Sequence, residues 1–129
     1  MALADLLRSN EQYAEAAKAY DTAIAQITDE QPQHLGLYYA RGVCFERLGK
    51  WSESERDLHK ALELAPEHPL VLNYLGYSWI DRGENLVAAR KMIESAARQR
   101  PQDGFIIDSL GWALYRSGDY ERAGVPMMP

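Results

Sequence analysis

The chain has 129 residues, of which 47% are hydrophobic and 26% are charged, and its formal net charge is −5. This size suits one domain, and the absence of any apolar run of 18 residues predicts no membrane-spanning helix. The acidic balance argues against a nucleic-acid surface, and Cys44, the single cysteine, excludes an internal disulfide.

The first thirty residues predict a short helix followed by a longer one. The stretch ALADLLRS is the most that the first helix can occupy, and Ala16 and Ala23 lie seven residues apart in the second. The segment TDEQPQHLG then predicts a longer loop with Pro32 inside it.

Residues 35–68 predict a helix-turn-helix unit. Tyr38, Phe45 and Leu48 recur at helical steps, and Gly49 is the type of residue that ends a helix. A second helix follows and stops at Pro66.

The same pattern recurs along the chain. LGYSW at residues 75–79 is followed 35 residues later by LGWAL at residues 110–114. The first glycine of each unit and the alanines downstream are expected to be small because two helices approach closely there. The recurring glycines fall in pairs seven residues apart: Gly42 and Gly49, Gly76 and Gly83, Gly111 and Gly118.

These residues resemble the tetratricopeptide repeat, a helix-turn-helix family, over nearly the whole chain. The resemblance implies an all-α fold, an α-solenoid of helix-turn-helix repeats in a right-handed superhelix, with about three to three and a half repeats. It divides a single domain, residues 1–129, into a partial repeat 1–30, repeats 35–68 and 69–103, and a partial repeat 104–125. The long bacterial repeat proteins that the sequence resembles also suggest a bacterial source.

Several residues depart from the family pattern. Arg41 stands where leucine is usual and is expected to reach solvent at an edge. One extra residue near Glu84 lengthens the turn of the third repeat. Trp51 and Trp79, at signature positions, are expected to pack in the core.

The resemblance also implies a concave groove lined by the first helix of each repeat. Such a groove would bind a peptide or partner protein without catalysis, through aromatic surface with a polar tip. Glu46, Ile80 and Tyr115 are expected beside the main set, and for Tyr77 and Trp112 packing against neighbouring units is the alternative. The main set is Tyr39, Val43, Arg47, Asn73, Tyr77, Asp81, Asp108, Trp112 and Arg116.

The alternative function is structural self-association. Ile107, Leu110 and Leu114 would lack part of their cover because the second helix of the fourth repeat, starting at Tyr120, soon meets Gly124. A homo-oligomer would bury these residues, and Met127 and Met128 would contribute a little cover. A third reading, RNA binding of the pentatricopeptide type, is opposed by the acidic charge balance.

No catalytic, metal or cofactor motif is found, so the sequence predicts no enzyme and no cofactor. The three histidines lack metal-ligand spacing. The carboxylate pair Glu53 and Asp57 is expected to be solvent-exposed, and Cys44 to be a small packing residue.

Both ends stop within a repeat, which favours a fragment of a longer array over a natural assembly surface. The first ten residues do not resemble a signal peptide. The location expected by default is therefore cytoplasmic, or periplasmic if the chain is part of a longer exported protein.

Overall fold

The computed structural model describes residues 2–118, which form seven α-helices, one 3-10 turn and no strand. The all-α prediction is therefore confirmed for this part of the chain. The chain divides into two compact units, Met1–Pro66 (unit 1) and Glu67–Pro129 (unit 2). The division lies beside residue 69, where the third repeat is predicted to begin.

Unit 1 is an array of four α-helices in which each helix packs against the next. The helices are α1 (Ala2–Ser9), α2 (Tyr13–Ala25), α3 (Leu35–Arg47) and α4 (Trp51–Leu64). The connection between α2 and α3 is long, as predicted, and its 3-10 turn spans Pro32–His34. Proline suits the start of such a turn because its backbone angle is preset and the lost N–H is not needed there.

Unit 2 contains α5 (Pro69–Arg82), α6 (Leu86–Gln99) and α7 (Gly104–Arg116), and all three pack against one another. Asp103 caps α7, since its Oδ1 accepts hydrogen bonds from the backbone N–H groups of Phe105 and Ile106 at 3.0 and 3.3 Å. The predicted helix from Tyr120, with Gly124, Met127 and Met128, lies outside the described residues.

Left-handed glycines end the first helix of the two complete repeats, as the sequence predicts. Gly49 has a φ of 76° and Gly83 a φ of 72°, values that a residue with a Cβ rarely adopts. The N–H after each glycine donates to a carbonyl five residues earlier, at 2.8 Å after Gly49 and 2.9 Å after Gly83. This Schellman arrangement satisfies carbonyls that the helix leaves unpaired.

The extra residue predicted in the third repeat lies between Gly83 and α6. Only Lys50 separates Gly49 from the start of α4, whereas Glu84 and Asn85 separate Gly83 from α6. Asn85 takes a left-handed conformation with a φ of 47°. Asparagine tolerates this region better than most residues, so the insertion is absorbed without disturbing either helix.

Small residues allow the close helix crossings that the sequence predicts. A Cβ added at Gly76 would lie 2.8 Å from Cγ1 of Ile93 and 2.9 Å from the carbonyl oxygen of Ala89. One added at Gly42 would lie 3.1 Å from Leu58. Both glycines are therefore required by packing between α5 and α6 and between α3 and α4.

Arg41 is not the solvent-reaching side chain that the sequence suggests. Its Nε and Nη2 donate to the two carboxylate oxygens of Asp57, both at 2.7 Å, and its Nη1 donates to Asp21 at 2.8 Å. Asp57 is 3% exposed, so the prediction of an exposed Glu53 and Asp57 pair is wrong for Asp57. A buried carboxylate is retained because a guanidinium binds it in bidentate fashion.

Two other core predictions have opposite outcomes. Cys44 is fully buried in the core of unit 1 with Ala16 and Tyr20, as predicted, and burial raises the pKa of its thiol. Trp51, by contrast, is exposed, so the prediction of a core residue is wrong there. It is the first residue of α4, where fewer neighbours surround a side chain than in the middle of a helix.

Candidate functional site

The nine residues predicted to line a groove form three stripes, one on each first helix. Tyr39, Val43 and Arg47 lie on α3, and the corresponding residues of α5 and α7 repeat the same spacing. Residues four apart share one face of a helix, so each stripe defines one face. Three of the nine belong to unit 1 and six to unit 2.

Unit 2 brings three of its predicted residues together in one cleft between α5 and α7. The cleft has a volume of about 330 Å³. Tyr77 is 40% exposed and Phe105 is 84% exposed, so the lining offers accessible aromatic surface. The described lining consists of Asn73, Tyr74, Tyr77, Phe105, Asp108 and Ser109.

Phe105 and Ser109 were missed by the sequence reasoning. Phe105 precedes Asp108 by three residues on α7 and therefore lies on the same face of that helix. That spacing is the signal that could have identified it. It lies in the first turn of α7, and its ring is 84% exposed.

The polar atoms of the cleft differ in how they are satisfied. The Asn73 Oδ1 atom is buried and has no hydrogen-bond partner among residues 2–118. Ser109 donates its hydroxyl to the Phe105 carbonyl at 3.0 Å, so that proton is already used within α7. A buried acceptor without a partner is unfavourable, and Asn73 is one of the residues that line the cleft.

The other predicted residues of unit 2 lie beside the cleft. Trp112 stacks on Tyr115 with ring centroids 5.7 Å apart, and the Arg116 guanidinium lies 5.6 Å from the Trp112 ring centroid. Asp81 is exposed. Ile80, expected next to it, is fully buried, so that expectation is wrong because Ile80 belongs to the core of unit 2.

The predicted residues of unit 1 form a separate, partly buried stripe on α3. Tyr39 and Val43 are half-buried, and burial raises the pKa of the Tyr39 hydroxyl. The Arg47 guanidinium lies 5.6 Å from the ring centroid of Tyr13 on α2. This contact is a cation–π interaction that orients Arg47.

The three residues predicted to mediate self-association differ in exposure. Ile107 is 47% exposed, whereas Leu114 is buried. Leu110 is partly buried and packs against the core of unit 2. Of the three, Ile107 therefore offers the most surface to a second chain.

The described residues give no sign of metal chemistry. No group of three His, Cys, Asp or Glu side chains within residues 2–118 could hold a metal ion. His34, which lies within the long connection between α2 and α3, accepts a hydrogen bond at Nδ1 from the Gln31 N–H at 2.9 Å, which gives it a structural role. In the same described part of the chain, no helix is long and apolar enough to cross a membrane.

Helix pairs whose first member ends at a left-handed glycine, with a small residue at each crossing, define a helical-repeat protein. The family model of the tetratricopeptide repeat matches residues 36–68, which is the second predicted repeat. A TPR repeat-containing protein of Pseudomonas aeruginosa is 33% identical over 115 residues, covering 89% of this chain and 19% of that protein. The chain is a member of the tetratricopeptide repeat family, and it spans about a fifth of the length of this relative. Repeats of this family generally mediate protein–protein interactions.

Proposed function

We propose that this chain is a non-enzymatic interaction module that binds a peptide or an extended segment of a partner protein in the cleft between α5 and α7. The observation that carries the proposal is the cleft itself, whose lining combines exposed aromatic rings with Asn73, the Oδ1 atom of which has no hydrogen-bond partner among residues 2–118. Apolar surface with a few polar groups that set orientation is the usual composition of a binding site.

The experiment is a selection of displayed random peptides against the purified chain, followed by fluorescence anisotropy with the enriched peptides. Tyr77→Ala and Phe105→Ala each remove one aromatic ring that is accessible at the cleft, since Tyr77 is 40% and Phe105 84% exposed. Val87→Ala is the matched control because Val87 is an exposed apolar residue on α6, outside the cleft lining.

We expect Tyr77→Ala to weaken the enriched peptides at least tenfold, because one buried aromatic contact contributes about 1.4 kcal/mol or more. Val87→Ala should bind them as the unchanged protein does. Peptides that bind equally well to all three variants would place the binding surface elsewhere and contradict the proposal.

A second candidate function is self-association, favoured by the exposure of Ile107. Burial of its side chain against another copy would stabilise a dimer through apolar contact. Light scattering coupled to size exclusion, over a concentration series, would show a dimer that Ile107→Asp dissociates. A monomer at every concentration would contradict this candidate.

A further inference from the structure

The cleft between α5 and α7 presents hydrogen-bond acceptors alongside the hydroxyls of Tyr74 and Tyr77. Asn73 Oδ1 is buried without a partner among residues 2–118, and Asp108 contributes a carboxylate. The Ser109 hydroxyl donates to the Phe105 carbonyl, so towards the cleft it can only accept. A ligand that satisfies these three acceptors must therefore bring donors.

The charge of the cleft also favours a ligand that brings donors, because it favours a cationic group. Asp108 is the single charged residue of the described lining and is exposed. Asp81, one turn beyond Tyr77 on α5, is also exposed, but Arg116 has the matching position on α7 and its Nη2 atom lies 3.0 Å from a Cβ built at Gly83, at the same end of α5. The Asp108 carboxylate therefore decides the charge of the cleft, and it repels an anionic group of a partner and attracts a cationic one.

The size and apolar surface of the cleft limit how much of a ligand it can hold. A volume of about 330 Å³ lies at the lower end for small-ligand pockets. Such a space admits one or two side chains of an extended segment rather than a helix. The rings of Tyr77 and Phe105 provide the apolar contact.

We infer that the cleft binds an extended basic–apolar peptide segment. An apolar side chain of the segment packs against Tyr77 and Phe105, and a neighbouring Lys or Arg pairs with Asp108. A backbone N–H of the segment donates to Asn73 Oδ1. This inference rests on the proposed function and specifies the chemistry of the partner.

The test uses three acetylated, amidated and fluorescein-labelled decapeptides that share one Leu and one Phe. The Leu and the Phe are adjacent, and the positions before and after this pair are both Lys in the first peptide, both Ser in the second and both Glu in the third. At low salt we expect the Lys peptide to bind about threefold tighter than the Ser peptide, the range of a partly exposed ion pair. The Glu peptide should bind most weakly, and high salt should reduce the differences.

Substitution of the carboxylate separates a local ion pair from a general effect of net charge. Asp108→Asn should bring the Lys and Ser peptides to equal affinity. Asp81→Asn makes the same change of charge on α5 but outside the cleft lining, so the Lys preference should largely persist. Equal loss in the two variants, or no loss in Asp108→Asn, would overturn the ion pair.

Asn73→Leu tests the acceptor with two readouts. The variant should weaken the Lys peptide about fivefold, because one net hydrogen bond is lost. The melting temperature of the unliganded chain should stay the same or rise, since an unpaired buried oxygen is removed. A lower melting temperature with unchanged peptide affinity would make Asn73 a structural residue and overturn this contact.

Failure of the inference and failure of the proposed function give different results. If Tyr77→Ala weakens all three peptides but the unchanged protein shows no preference for Lys, the cleft binds peptides of another chemistry and the inference fails alone. If the three peptides do not bind and the random selection yields none that depends on Tyr77, both fail. Binding of the Lys peptide that depends on Tyr77, Asp108 and Asn73 together supports both.

Discussion

Replacement of Arg41 by leucine, the residue usual at this position of the family, should destabilise unit 1. The Arg41 side chain is 19% exposed and that of Asp57 only 5%, and the two are joined by a bidentate pair at 2.7 Å. Hydrogen bonds to Asp57 raise the pKa of Arg41, so the guanidinium stays charged throughout the accessible pH range. The substitution therefore leaves a buried carboxylate without its cation.

The magnitude follows from two opposing effects. Breaking a buried ion pair by removing one partner destabilises by roughly 3–5 kcal/mol. Burial of the leucine side chain contributes about 1 kcal/mol of stabilisation. The gain is small because the methylenes of Arg41 already cover part of this surface. We expect a net loss of about 2–4 kcal/mol in the free energy of unfolding.

Urea unfolding followed by circular dichroism measures this loss. The double variant Arg41→Leu/Asp57→Ala removes the stranded charge as well and should recover at least half of the lost stability. Asp21→Asn is the matched control, because Asp21 contacts the same guanidinium from a side chain that is 55% exposed. Its effect should stay below about 1 kcal/mol.

Two results would refute this reasoning. A loss below about 1 kcal/mol for Arg41→Leu would mean that Asp57 finds water or another donor once Arg41 is gone. A double variant no more stable than Arg41→Leu would mean that the lost stability comes from packing around the arginine stem and not from the unpaired charge.

Three further predictions concern packing, pH and thiol reactivity. Gly76→Ala places a Cβ 2.8 Å from a side-chain carbon of α6 and should lower the free energy of unfolding by about 1–2 kcal/mol. Gly36→Ala, with no described atom within 4 Å of the new Cβ, should leave this free energy unchanged or raise it, and equal effects of the two substitutions would contradict the close crossing. A hydrogen bond from Lys60, more than any other contact, lowers the pKa of Glu30 in the folded chain. The ionised Glu30 therefore contributes its full stabilisation above the ordinary glutamate pKa and loses it as the pH falls through the lower pKa of the folded chain. The urea midpoints of the unchanged chain and of Glu30→Gln should converge in acid, and a gap that stays constant with pH would argue against the contact between Glu30 and Lys60. Burial raises the pKa of the Cys44 thiol, so it should react with a disulfide reagent far more slowly in buffer than in urea, and equal rates would show that the thiol is accessible.

Much of the fold could be predicted because the repeat signals are local. A glycine that ends a helix, a proline that stops one and apolar residues at helical steps act within a few residues of the chain. Gly49, Gly83 and Pro66 therefore mark element ends that the structure confirms. The insertion before α6 was also visible, because it changes a spacing that the other repeats keep.

The candidate site was predictable only in part. The helical period places Asn73 and Tyr77 on one face of α5, and Asp108 follows at the equivalent position of α7. Phe105 lies three residues before Asp108 and is not at one of the positions that the repeat pattern assigns to the groove, so it was missed. It is nevertheless the most exposed ring of the cleft. Whether the nine predicted residues bind a partner stays a prediction.

The sequence by itself determined the helix-turn-helix repeats, their boundaries and the small residues at their crossings, since each depends on backbone conformation or on a spacing along the chain. Only the tertiary structure decided which partners polar and aromatic side chains have. Arg41 and Asp57 are 16 residues apart and meet because α3 packs on α4, and the acceptor of Asn73 is left unpaired because no donor of α6 or α7 reaches it. Contacts between side chains on different helices depend on how the helices pack, and the spacing of residues along the chain does not predict that packing.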